Sequence, residues 1–189
     1  MRSLRAFPLV VAFVVAGGCG GVAGGAPRAA EAPPVELHPE DVATIDGIIN
    51  AYYDIVSGPA GEARPWARDR ALYLSLPTFR FVSVVVKEGG AVEVSAMDHE
   101  QFAEWSDIHL VKEGFFEHEI HRTTQRVGNL VHVMSTYASR RTPDGPVTRQ
   151  GVNSLDLVWD GKRWWIAASV WQDQAPDLPL PPEFLPPAK

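Results

Sequence analysis

The sequence predicts an α+β fold in which a strongly curved antiparallel or mixed sheet wraps around about three helices from its N-terminal half. Three observations predict it. Amphipathic helical patterns follow residue 38, four long strand patterns fill residues 115–172, and tight turn signals join those strands. Helices that precede a run of antiparallel strands are typical of one layer of helices packed on one sheet.

The first 18 residues are predicted to be a signal peptide. Arg2 and Arg5 precede an apolar run that is too short to span a bilayer as a mature helix. The segment runs into Gly17-Gly18-Cys19, which resembles the lipobox of bacterial lipoproteins, and Cys19 is the only cysteine of the chain. We therefore expect lipidation at Cys19, with plain secretion after cleavage nearby as the alternative. Either outcome predicts export, as a lipid-anchored protein of the bacterial cell envelope or as a secreted one.

Composition divides the rest of the chain into three parts. Residues 19–37 are rich in Gly, Ala and Pro and are predicted to be a flexible tether. The folded domain is predicted over residues 38–175, and a Pro-rich tail over 176–189. We expect contact with a membrane only through the N-terminal anchor.

The charge and composition exclude some classes of partner. The formal net charge is −6, which disfavours nucleic acid and anionic lipid as main partners. Hydrophobic residues make up 46% of the chain, enough for one core. The sequence lacks the phosphate-binding and dinucleotide-binding motifs, so no cofactor is expected.

Three helices are predicted before the long strands. Pro39 suits a first helical position, and the apolar face that follows ends at Gly58-Pro59. That face carries Val42, Ile45, Ile48, Ile49, Tyr52, Tyr53 and Val56. A second helix is predicted from Pro65 to about Leu74. Asp98 and Gln101 have the spacing of a capping box for a third helix, whose inward face is predicted to carry Phe102, Trp105 and Ile108.

The strands are predicted from alternation and turn signals. Two short strands, residues 79–87 and 91–96, flank Gly89-Gly90, and Gly128-Asn129 and Asp160-Gly161 are two-residue hairpin turns. Gly151 lies inside a strand, where it indicates a bend or bulge.

Alternation assigns side chains to the two faces of the long strands. The inner face is predicted to be mostly aliphatic, with Val131, Val133, Leu155, Leu157, Ile166, Ala168, Val170 and, across the first hairpin, Ile120. Its polar exceptions are His118, Ser135, Tyr137 and Asn153. They predict either a small-ligand pocket or a set of buried groups that bond one another. The outer face is predicted to carry Glu119, His121, His132, Thr136, Asp156, Trp165, Ser169 and Trp171.

The order of elements, together with GNLVHVMSTY, GVNSLDLVWDGKRWWIAASVW and PLPPEFL, resembles the nuclear transport factor 2-like superfamily, in particular its SnoaL-like bacterial branch. The resemblance covers about residues 38–185. It implies a cone, in which a bent sheet encloses three helices and an open pocket, and in many members a dimer. The superfamily includes ketosteroid isomerase, dehydratases, polyketide cyclases and non-catalytic binding domains, so the fold does not select a function.

Two functions are predicted from these residues. The first is non-catalytic binding of a small apolar ligand or a protein partner, with a pocket formed by Tyr52, Tyr53, Trp105, His118, Ser135, Tyr137 and Asn153. The alternative is an isomerase-, dehydratase- or cyclase-like enzyme, with His118 as general base and Tyr137 as donor to an oxyanion. No carboxylate is predicted on the inner face, which favours binding.

Two further hypotheses concern the outer face and the EHEIH segment. The outer face, with Trp165 and Trp171, is predicted either to form a homodimer contact or to lie under the Pro-rich tail. EHEIH (residues 117–121) lacks the spacing of a metal motif, and His118 and His121 alternate on a strand, so no metal site is predicted.

Overall fold

The computed structural model describes residues 34–187. The predicted signal peptide, Cys19 and most of the predicted tether lie outside these residues. The helices are α1 (Pro39–Ala43), α2 (Ile45–Val56), α3 (Trp66–Arg70) and α4 (His99–Ser106), and a π-helical turn over Asp107–Val111 continues α4. Within residues 34–187, no helix has both the length and the apolar character needed to cross a membrane.

Six strands form one open sheet. They are β1 (Phe81–Val86), β2 (Val92–Met97), β3 (Phe116–Val127), β4 (Leu130–Arg140), β5 (Arg149–Trp159) and β6 (Trp164–Asp173). The strand order is β2-β1-β6-β5-β4-β3, and every pair is antiparallel except β1 with β6. The sheet is therefore mixed, and β2 and β3 are its edges.

The core lies between α2 and the inner face of the sheet. Thr44 interrupts the single predicted first helix, because its backbone is extended and its Oγ1 accepts from Gly47 N at 2.9 Å as the N-cap of α2. The apolar face of α2 is buried, as predicted, against the aliphatic side chains of the sheet. The fully buried members on the sheet side are Val133, Leu155, Leu157 and Ile166. Each such side chain contributes about 1.5–3 kcal/mol by burial.

Helix α4 begins as predicted and continues differently. Asp98 and Gln101 form the reciprocal capping box. The π-helical turn after Ser106 adds a residue to the repeat and rotates the side chains that follow. The predicted inward position of Ile108 is therefore wrong: Ile108 is 63% exposed, and Leu110 is buried instead.

A β-bulge at Ile120 changes the faces of the first part of β3. The register pairs Arg122 with Ser135 and His121 with Thr136, then shifts by one residue so that Glu119 pairs with Tyr137. The predicted inward orientation of His118 is therefore wrong: His118 pairs with Ala138 and lies on the outer face. Ile120 is the bulged residue. Glu119, predicted to face outward, lies on the inner face, and so does Glu117.

A second bulge, at Ala167 in β6, exchanges the faces of the residues that follow it. Leu157 pairs with Ile166, but Asp156 pairs with Ala168. Trp171, predicted outside, is thus on the inner face, where its ring lies 6.2 Å from that of Phe102. Ser169 moves inward with Trp171, and Ala168 and Val170, predicted inside, move outward.

The C-terminal segment covers part of the outer face. Thr136 Oγ1 donates to Phe184 O at 2.6 Å, and His121 Nε2 lies 3.2 Å from Glu183 O. This C-terminal segment therefore crosses β3 and β4. It does not cover Trp171, which is on the other face. Of the two tryptophans predicted for a homodimer contact, only Trp165 lies outside, where the Arg163 guanidinium lies 3.7 Å from its ring centroid. The homodimer itself stays a prediction.

Candidate functional site

Two cross-strand rows bring polar side chains together at one end of the inner face. Residues directly opposite each other on neighbouring strands have Cβ atoms about 4.5–5.5 Å apart. The first row contains Glu117, Ser139 and Arg149, and the second contains Tyr137, Gly151 and Asp173. The bulge in β3 places Glu117 in the first row, and the bulge in β6 places Asp173 in the second.

Gly151 allows Tyr137 to reach Asp173 across an intervening strand. The Tyr137 hydroxyl donates to Asp173 Oδ1. A Cβ at position 151 would lie 2.3 Å from Tyr137 Oη and 2.4 Å from Gln172 O, closer than atoms in contact can approach. Burial, and then the charge of Asp173, raise the pKa of Tyr137 well above its ordinary value. Tyr137 therefore stays protonated at neutral pH, and its one O–H is donated to Asp173 at this end of the cavity.

The start of β3 is fixed to the end of α2, and this fixes Glu117. Gly58 and Phe115 exchange two backbone hydrogen bonds of 2.7 and 3.0 Å. Glu117 N donates to Ser57 Oγ at 2.9 Å. With its backbone held on both sides, Glu117 directs its carboxyl into the space between the sheet and the helices.

The surroundings of Glu117 favour its neutral form. Although the side chain keeps some accessible surface toward the cavity, burial raises its pKa to about 8, and the nearby charge of Asp173 acts in the same direction. Arg149 opposes both effects but is exposed, so solvent screens it. At neutral pH Glu117 is therefore largely protonated, and it loses its proton as the pH rises through about 8.

These groups form the polar end of a cavity with an aromatic and aliphatic wall. The wall consists of Tyr52, Val56, Phe102, Trp105, Leu110, Phe115 and Trp171. The cavity volume is about 60 Å³. This lies below the range of roughly 300–1,000 Å³ that is typical of sites for drug-sized ligands. The cavity is therefore narrow, which favours a slender or flat ligand.

A buried hydrogen-bond chain lies behind the cavity. Tyr52 Oη lies 3.0 Å from Ser169 Oγ and donates toward Asn153 Oδ1 at 3.4 Å. Asn153 Nδ2 donates to Tyr53 Oη at 3.1 Å. Tyr53 Oη lies 2.6 Å from Ser135 Oγ, and because the Ser135 hydroxyl donates to Glu119, Tyr53 is the donor to Ser135. These polar groups of α2 and the sheet satisfy one another.

The predicted pocket residues thus fall into three groups. Tyr52, Trp105, Tyr137 and Asn153 line the cavity. Tyr53 and Ser135 belong to the hydrogen-bond chain, which is the alternative stated for buried polar groups. His118 does not line the cavity: it lies outside, with Arg140 Nη1 3.1 Å from its Nδ1. Partial burial of the ring, and then the Arg140 charge, lower the pKa of His118.

Sequence reasoning missed four polar residues of the cavity: Glu117, Ser139, Arg149 and Asp173. Asp173 falls on the inner face only because of the bulge at Ala167. Glu117 has an acidic neighbour at Glu119, and this alternating pair of acids was the only signal in the sequence. Among residues 34–187, no group of three or more His, Cys, Asp or Glu side chains is arranged to hold a metal ion.

Solved structures with this architecture exist. A protein of unknown function with a cystatin-like fold, from Nostoc punctiforme, is 9% identical, covers 74% of this chain and 98% of its own, and has a TM-score of 0.50. The predicted fold, a curved α+β sheet around helices, is confirmed. No family model matches the sequence, and no curated protein does.

Two further structures are similar at lower TM-scores. A protein from Parabacteroides distasonis proposed to be a ketosteroid isomerase is 12% identical, covers 72% of this chain and 98% of its own, and has a TM-score of 0.45. A nuclear transport factor 2-like protein of unknown function from Silicibacter pomeroyi is 14% identical, covers 69% of this chain and 92% of its own, and has a TM-score of 0.43. Similarity of fold at these levels of identity carries no activity with it.

The raised pKa of Glu117 predicts a pH-dependent stability that Glu117→Gln removes. Between the ordinary pKa of 4.5 and about 8, the folded chain holds a proton on Glu117 that the unfolded chain has lost. Stability from this group is therefore lost as pH rises through that interval. We expect Glu117→Gln to gain on the wild type from pH 5 to pH 9, on the order of 2–4 kcal/mol in the free energy of unfolding.

Urea unfolding of both proteins at pH 5, 7 and 9 measures this difference. The control is Glu183→Gln, in the exposed C-terminal segment, whose difference in unfolding free energy from the wild type should not change with pH. A difference between Glu117→Gln and wild type that stays constant across the three pH values would show that Glu117 is not desolvated in the folded chain.

Proposed function

We propose that the cavity binds a small ligand that is apolar over most of its surface and hydrogen-bonds at one end. The observation that carries this proposal is an aromatic-walled cavity closed at one end by Glu117 and the Tyr137–Asp173 pair. Apolar lining supplies binding energy through the area removed from water, and a few placed polar groups orient the ligand. In a merely structural core, neighbouring side chains would fill this space.

Filling the cavity tests this function. Val56 lies on its wall and is 7% exposed, and Val56→Phe would place a ring in the empty space. With 2-naphthol as a flat probe with one hydroxyl, we expect calorimetric affinity to fall at least tenfold. Val127→Phe makes the same substitution at a position that is 80% exposed and should leave affinity unchanged. Equal affinity in the two variants, or no binding to the wild type, contradicts the proposal.

A second candidate function is proton transfer, and the protonation of Glu117 favours it. A general base works best when its pKa lies near the working pH, and Glu117 has a pKa of about 8 beside the Tyr137 donor. Glu117 would take a proton from carbon, while Tyr137 would turn its O–H from Asp173 to the oxygen on which charge develops. In this form of the enzyme hypothesis Glu117 takes the role assigned from the sequence to His118.

The ring opening of 5-nitrobenzisoxazole isolates that chemistry. A carboxylate takes the C–H proton, the N–O bond breaks, and a cyanonitrophenolate is released. We expect a rate above buffer that increases with pH through about 8 and falls at least a hundredfold in Glu117→Gln. His118→Gln is the control and should retain the rate. A rate that depends on His118 rather than Glu117, or no rate above buffer, rejects this assignment.

We further infer that the chain is exported and anchored through Cys19. The support is the basic start, the apolar run and the lipobox-like Gly17-Gly18-Cys19, with the chain's single cysteine at the acylation position. Mass spectrometry of the protein from its own host should show an N-terminus at Cys19 carrying acyl chains, and Cys19→Ser should release it from membranes. An intact Met1 on protein in the cytoplasm contradicts export.

A further inference from the structure

We propose that the ligand of the cavity is an organic cation, a primary amine on an aromatic or aliphatic body, with its ammonium group between Asp173, Glu117 and Ser139. This inference rests on the proposed binding function and names the chemical class of the ligand. Ser139, the charge balance and the aromatic wall support it separately.

Ser139 supplies an unused polar group. Its side chain is fully buried, it lines the cavity, and its Oγ has no hydrogen-bond partner among the described residues. A buried hydroxyl without a partner costs about 1–3 kcal/mol. Glu117 is its direct neighbour in the cross-strand row, yet the two side chains do not bond each other. A donor placed between them would satisfy Ser139.

The charges near this point favour a cation. Asp173 and Glu117 are two carboxyl groups on the inner face, and Arg149 is the one basic residue that lines the described cavity. Arg149 is exposed at the start of β5, so its charge is largely screened. Tyr137 occupies Asp173 Oδ1 and leaves Oδ2 for another donor. An ammonium group has three N–H bonds, and Asp173, Glu117 and Ser139 offer three acceptors.

The aromatic wall favours the same ligand. Phe102 and Trp171 meet edge to face, with ring centroids 6.2 Å apart, and Trp105 stacks on Phe102 at 6.2 Å. Aromatic faces attract cations by about 0.5–2 kcal/mol and also bury the carbon body of an amine. An anionic ligand would gain only the exposed Arg149 while it approached the Asp173 carboxylate.

Binding of a cation would also change the protonation of Glu117. In the empty cavity this carboxyl is largely protonated at pH 7, because burial and Asp173 raise its pKa. An ammonium beside it favours the ionised form, so amine binding at pH 7 should release a proton to the buffer. A neutral ligand of the same shape should release none.

Three probes with one carbon skeleton separate the charge classes: 2-phenylethylamine, 2-phenylethanol and phenylacetate, titrated into the full chain at pH 7. We expect the amine to bind at least tenfold tighter than the alcohol, and phenylacetate to bind weakest. Calorimetry in two buffers of different ionisation enthalpy should detect proton release with the amine alone. Asp173→Asn should remove the preference for the amine and should change the affinity for the alcohol by less than threefold.

Ser139→Ala and Ser106→Ala form a matched pair. Both hydroxyls are fully buried without a partner in the described chain, but only Ser139 lines the cavity. Ser139→Ala should weaken amine binding severalfold without loss of stability, whereas Ser106→Ala should leave it unchanged. If the alcohol or phenylacetate binds as tightly as the amine, the inference is overturned while the cavity remains a binding site. If none of the three probes binds while 2-naphthol does, only the inference is rejected. If 2-naphthol also fails to bind, the proposed function is rejected with it.

Discussion

A one-residue β-bulge at Ile120 determines the chemistry of the inner face. On the N-terminal side of this bulge, each side chain of β3 lies on the opposite face from the one predicted by the register of the Gly128-Asn129 hairpin. The bulge brings Glu117 into the cavity and leaves His118 outside. Without it, an imidazole would stand where a carboxyl now stands opposite Ser139.

The same end of the inner face requires a glycine at position 151. Tyr137 crosses over it to reach Asp173, and the resulting pair lies beside Glu117 under an aromatic wall. Low polarity around the carboxyls makes ionising both of them costly, which raises the pKa of Glu117. Both proposed functions, binding of a hydrogen-bonding ligand and transfer of a proton, rest on this same arrangement.

Much of the fold follows from the sequence because local patterns decide it. The apolar face of α2, the capping box of α4 and the two-residue turns each rest on side chains close together in the chain. The same holds for four cavity residues that the sequence predicts. Tyr52 and Trp105 lie on helices, and Tyr137 and Asn153 lie on strands that carry no bulge before them. Glu117, Trp171 and Asp173 lie beyond a bulge, and no residue type at Ile120 or Ala167 marks one. No residue type in the sequence marks the π-helical turn that exposes Ile108 either.

The most direct test of this account is the strand register of β3 against β4, measured by cross-strand nuclear Overhauser contacts. The account predicts that backbone protons of Glu117 contact those of Ser139 and that Glu119 lies opposite Tyr137, while His121 remains opposite Thr136. Contacts that pair His118 with Ser139 and Ile120 with Tyr137 would mean an unbroken ladder. In that case Glu117 would face away from the cavity, and the proposed site would have to be abandoned.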